Sequence, residues 1–163
     1  MKKRKVIIII ALLLLCIVGY LFYSRPMSIQ QRYPMLTLDK CTELQGLYKS
    51  NGQEDFTEFV FDKNSEEFEI LCKLLFEQEY KHRLRDLLPR GTRYHQTQPN
   101  DYEWEVFFHF EDVMLEDGNI ASGGVLSIQY WYGELDIKFD GETISCTTSK
   151  QDTWSKEVLN TLQ

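Results

Sequence analysis

The sequence predicts an N-terminal transmembrane helix followed by a single α+β domain. Its antiparallel sheet is read as a hairpin, a helix, a four-stranded meander and a short C-terminal helix, with the helices on one face. Three patterns carry this reading. An uncharged apolar run, VIIIIALLLLCIVGYLFY, fills residues 6–23. A helical repeat of apolar residues follows near residue 70. After residue 101 the repeat changes to strict alternation, which marks strands with one buried and one wet face.

The apolar run has 18 residues, 13 of them Val, Ile, Leu or Phe. As a helix it is about 27 Å long, close to the hydrocarbon thickness of a bilayer. Those 13 side chains favour insertion by about 4–8 kcal/mol in total. Two processed alternatives stand beside an uncleaved anchor. A cleavable signal needs small residues at its exit, but Tyr20, Phe22 and Tyr23 are bulky. A lipidated Cys16 needs a small residue before it and an end to the apolar run; Leu15 precedes it and the run continues. Retention as a signal anchor is the expectation, with the bilayer as partner through residues 6–23 and Tyr20 and Tyr23 at the interface.

Lys2, Lys3, Arg4 and Lys5 precede the run, and Arg25 alone lies just after it. The positive-inside rule then assigns residues 1–5 to a cytoplasmic basic tail and the C-terminal part to the extracytoplasmic side of the cell membrane. Residues 24–35, with Pro26, Gln30, Gln31 and Pro34, read as a tether, and residues 36–163 as one domain. Beyond the anchor there are 14 Lys+Arg (18 minus the four at the start) against 25 Asp+Glu, a formal charge of −11. That balance argues against nucleic acid as a partner, which requires a basic footprint.

Residues 41–49 and 56–61 read as strands of a hairpin turned at Asn51-Gly52. Asn64 or Ser65 can cap a helix whose first turn holds Glu66 and Glu67. Phe68, Leu71, Cys72, Leu75 and Phe76 recur at helical spacing, and the pattern extends through Tyr80, Leu84 and Leu87 to a stop at Pro89 and Gly91. A polar loop spans 89–101. Tyr102, Trp104, Val106, Phe108 and Phe110 then alternate with Glu103, Glu105, Phe107, His109 and Glu111. Strands around 126–132, 135–139 and 144–146 follow, separated by Gly133-Glu134 and Asp140-Gly141. Trp154, Val158, Leu159 and Leu162 form the last helix, placed to cover the apolar face.

This order of elements, with an FxxLCxxL-type face at 68–75, the basic exit KHRLR at 81–85 and a DG-punctuated meander, resembles small membrane-anchored or lipoprotein-like envelope proteins of Gram-positive bacteria, whose function is unknown. The likeness covers most of residues 36–160. It implies location and a helix-on-sheet fold, and brings no catalytic residue with it.

Several constellations are candidates for chemistry. Glu103 and Glu105 share one face of a strand about 6.5–7 Å apart, near the spacing of an inverting glycosidase; two solvated carboxylates is the plainer reading. His109 and Glu111 lie on that face too, but a metal needs three or four converging ligands, and His82 and His95 complete no known spacing. No metal and no cofactor is expected. Cys72 and Cys146 read as buried apolar thiols; with Cys41 the odd count permits one disulfide whose pairing stays open. Phe107 and Trp131 are large aromatics on the polar face, as partner-anchoring residues often are. Arg90, Arg93 and Tyr94 in the 89–101 loop add a basic spot, with Lys81, Arg83 and Arg85 nearby, suited to lipid headgroups or an anionic wall polymer. The expected function is therefore a non-enzymatic binding module in the cell envelope with a protein partner. An envelope glycan hydrolase using Glu103 and Glu105, and an immunity-type protein that shields its host from a toxin, are the alternatives.

Overall fold

A computed structural model describes residues 2–50, 53–82, 102–114, 118, 120, 121 and 123–163 of the chain. Helix α1 (Lys2–Tyr23) contains the whole apolar run. Its window Val6–Tyr23 has a mean hydropathy of 3.0, and none of its residues is buried inside the rest of the chain. The helix is long and apolar enough to cross a membrane.

The expected tether is folded chain from Met27 onward. Helix α2 (Ile29–Arg32) is closed by a capping box: the Ser28 hydroxyl accepts from the Gln31 backbone N–H and the Gln31 side chain accepts from the Ser28 N–H. Ile29 and Tyr33 are thereby turned into the core beside Leu36. A 3-10 turn at Leu38–Lys40 leads into β1 (Cys41–Lys49), which pairs with β2 (Thr57–Asp62). Ser65 caps α3 (Glu66–Leu71) by accepting from the Phe68 N–H at 3.1 Å. The helix widens into a π turn at Cys72–Phe76 and ends there. Its predicted continuation is corrected at Tyr80, whose backbone forms a strand-like bridge with Met27. Tyr80 is still buried, so the apolar pattern found a core residue and misassigned its backbone. Leu84 and Leu87 lie outside the described residues.

Strand β3 (Glu103–Phe110) is followed by a small pair, β4 (Val113–Met114) and β5 (Ile120–Ala121), then β6 (Gly124–Trp131), β7 (Glu134–Phe139) and β8 (Glu142–Cys146). Six strands form one antiparallel sheet in the order β2-β1-β3-β6-β7-β8. The two-residue turns Tyr132-Gly133 and Asp140-Gly141 have positive φ at both positions (51° and 74°, 47° and 77°), the twist-matched geometry of tight hairpins. Helix α4 (Gln151–Leu162) closes the chain.

One face of the sheet carries the core. Leu44, Tyr48, Trp104, Val106, Phe108, Leu126, Ile128, Leu135 and Ile137 all point into it. The helices lie over that face. The Trp104 indole N–H donates to the Ser155 carbonyl at 3.2 Å, and the Trp154 N–H to the Leu74 carbonyl at 2.7 Å. The two indoles meet edge to face at 5.6 Å. Both buried donors are therefore satisfied, and they tie α4 to the sheet on one side and to the π turn on the other.

Candidate functional site

The register that buries one face decides what occupies the other. Gln45 stands opposite Val60 and Phe107, and Leu47 opposite Glu58 and Glu105. Phe107 faces Ser127, Glu105 faces Gln129, and His109 faces Val125. Beyond them, Ser127 faces Lys138, Gln129 faces Asp136 and Trp131 faces Glu134. Among the described residues no helix packs on this side.

Seven carboxylates belong to it: Glu43, Glu58, Asp62, Glu103, Glu105, Glu134 and Asp136. Lys49 and Lys138 are the lysines among the same strand positions. A polar lattice crosses the middle. Ser127 donates to Glu105 Oε1 at 2.6 Å, Lys138 lies 3.7 Å from the same oxygen, and Lys138 also donates to Gln129 Oε1 at 2.5 Å. Gln129 in turn donates to Asp136 at 3.3 Å, and Gln45 bonds the His109 ring. Glu105 is thus committed to the sheet as a cross-strand partner of Ser127 and Lys138.

Apolar groups interrupt this acidic surface. Phe107 is half-buried and borders a shallow depression of about 340 Å³ shared with Gln45, Leu47, Glu58 and Val60. Val60 is 62% exposed, and Phe56 and Val125 are exposed as well. At one end the half-buried Trp131 stacks on Phe56, with centroids 6.0 Å apart and planes at 19°, bridging over β1 and β3. The Lys49 ammonium sits 5.6 Å from the Phe56 centroid. Among the described residues, Trp131 Nε1 and Asp136 Oδ1 are buried without a hydrogen-bond partner. Each such group costs about 1–3 kcal/mol, so this side holds polar capacity that the fold does not use.

Phe107 and Trp131 therefore lie on one surface, together with Glu103, Glu105 and His109. Arg90, Arg93, Tyr94 and His95 lie outside the described residues, as do Arg83 and Arg85. Among the described residues no three His, Cys, Asp or Glu side chains are grouped to hold a metal. Cys41, Cys72 and Cys146 are buried and none of them is in a disulfide; the Cys146 thiol donates to the Leu135 carbonyl, and burial raises the pKa of Cys41 and Cys72 from 9.0 to about 11 and about 12. Phe56 and Val60 are members of the surface that the sequence reading missed. The signal was present: along residues 56–61, Thr57, Phe59 and Phe61 alternate with Phe56, Glu58 and Val60, which puts a second apolar set outward.

Compared with known protein families, with characterised proteins and with solved structures, the chain matches none.

Proposed function

We propose that this chain is a single-pass membrane protein, cytoplasmic at its N-terminus, whose extracytoplasmic domain is a non-enzymatic module that binds a basic protein partner in the cell envelope. The four cations before α1 support the orientation. The observation that carries the binding reading is the open side of the sheet, where carboxylates surround exposed Phe56, Val60 and Val125 and half-buried Phe107 and Trp131. An acidic rim around aromatic anchors complements a cationic surface with apolar side chains, and the charges steer the encounter.

The experiment places a photo-cross-linking residue at Val60 in the full chain, expressed in its native membrane. A discrete adduct is expected. It should weaken as salt rises and when Glu58 and Asp62 are replaced by Gln and Asn. The same cross-linker at Glu157, on the exposed side of α4, is the control. Equal yields from both positions, indifferent to salt, would remove the proposed face. Protease added to whole cells tests the orientation: the domain should be digested, and its protection would place it on the other side.

A further inference from the structure

A second surface, unlike the first in charge, lies where α1 meets the domain. Only Ser24, Arg25 and Pro26 separate the end of α1 from Met27. The Met27 N–H donates to the Tyr80 carbonyl at 2.9 Å and the Tyr80 N–H returns to Met27 at 2.9 Å. Lys81 and Thr147 exchange the same pair of bonds at 3.0 and 2.9 Å. The segment at residues 80 and 81 is thereby held between the chain leaving the helix and the end of the sheet. Two side-chain contacts tighten the joint. The Tyr23 ring stacks on His82 at 4.3 Å with planes at 18°, and Arg32 Nη2 lies 2.9 Å from His82 Nε2. A guanidinium only donates, so in this contact Nε2 is the acceptor.

Beside this joint is an open cleft of about 640 Å³, lined by Tyr20, Leu21, Ser24, Arg25, Lys81 and His82. Arg25 and Lys81 are exposed, and no carboxylate is among the described residues that line it. This is an island of positive charge on a part of the chain whose formal charge is −11 (14 Lys+Arg against 25 Asp+Glu). Its depth follows from the chain. A headgroup layer is roughly 5–8 Å thick on each side of the hydrocarbon. His82 touches Tyr23, the last residue of the apolar run; Lys81 is one residue step from His82, and Arg25 is two steps from Tyr23, at most about 7 Å. With α1 in a bilayer, Arg25, Lys81 and His82 stand at headgroup level while Leu21 points along the acyl region.

We infer that this cleft binds the phosphate of an anionic phospholipid headgroup. Arg25 and Lys81 supply the charge, and the Ser24 and Tyr20 hydroxyls supply neutral donors. The glycerol and the start of one acyl chain lie along Leu21. The inference rests on the anchored reading of α1, and the experiment separates the two.

The full chain is first floated with pure phosphatidylcholine vesicles. It is then reconstituted into nanodiscs with equal phosphatidylglycerol and phosphatidylcholine, and the lipids it retains on release are counted by native mass spectrometry. The wild type should float, and should retain phosphatidylglycerol over phosphatidylcholine by on the order of tenfold. Arg25→Gln with Lys81→Gln should still float, with its circular dichroism unchanged, and lose the preference. Arg25→Lys with Lys81→Arg should keep it. Added glycerol 3-phosphate should leave the lipid adduct in place. Equal retention by the wild type, or an undiminished preference in the glutamine variant, would overturn the headgroup site. Displacement by glycerol 3-phosphate would overturn it too, identifying a soluble phosphate as the ligand. Failure to float would instead remove the anchor, and the site with it.

Discussion

Replacing Gly46 with alanine probes the strand pairing that defines the open side of the sheet. Gly46 lies in mid-β1, opposite Phe59 of β2 and Val106 of β3. A Cβ added there overlaps the carbonyl oxygen of Glu105 and comes within 2.9 Å of the Phe59 ring. Carbon and oxygen approach no closer than about 3.3 Å without repulsion, so the backbones must part by on the order of 1 Å. Because β1 is hydrogen-bonded on both sides, it cannot move without loosening one ladder. Overpacking by one methyl costs about 1–3 kcal/mol, and each weakened ladder bond adds about 1 kcal/mol. A loss of about 3–4 kcal/mol is expected. With a urea dependence of about 2 kcal/mol/M, the midpoint should fall by about 1.5–2 M. The assay is a urea titration of the full chain in detergent micelles, followed by fluorescence of Trp104, Trp131 and Trp154. Val60→Ala, outward and 62% exposed, should shift it by less than about 0.3 M. If Gly46→Ala moved it no further than that, the β1–β3 register would be wrong. The membership of Glu43, Gln45 and Leu47 in the open side would fall as well, because a one-residue slip exchanges the two faces.

Trp154→Phe should cost about 1–3 kcal/mol in the same titration, because it leaves the Leu74 carbonyl without its 2.7 Å donor; an unchanged midpoint would show that the bond contributes nothing. Alkaline pH should destabilise the fold. Burial holds Cys41 and Cys72 at about 11 and about 12 against an ordinary 9.0, so the unfolded chain ionises first. Their contribution is whole below pH 9 and declines as pH rises toward 11–12, which urea midpoints at pH 8, 9, 10 and 10.5 should follow downward; a flat profile would contradict it. Leu12→Arg with Leu14→Arg should release the protein from the carbonate-washed membrane fraction. Two central arginines cost about 5–7 kcal/mol, against the roughly 4–8 kcal/mol that favours insertion. Full retention of that variant would refute the spanning role of α1.

The strands were the most legible part of the fold, because alternation reports a local geometry: Trp104, Val106, Phe108 and Phe110 are buried as their spacing predicts. The helix at residue 66 was legible at its start, where Ser65 and the acidic first turn act locally. Its end was not. Tyr80 continues the apolar repeat, but its backbone is claimed by Met27, more than 50 residues earlier, and no local pattern encodes that bond. The segment read as a tether hid a short motif of its own, Ser28-x-x-Gln31, whose capping signature predicts the turn that buries Ile29. Phe107 and Trp131 were legible as outward aromatics. Their connection was not, because Phe56 reaches Trp131 across two intervening strands, and strand order is a property of the whole sheet.

The three-residue link between α1 and Met27 also sets how far this protein can reach. A domain of this size has a radius of gyration of about 14 Å, so with α1 held in a bilayer as proposed its farthest atoms would stand roughly 40 Å above the lipid. On the anchored reading proposed above, a ligand fixed beyond that height is out of range. One embedded in the same bilayer, or carrying a basic segment close to it, is met by lateral diffusion in two dimensions.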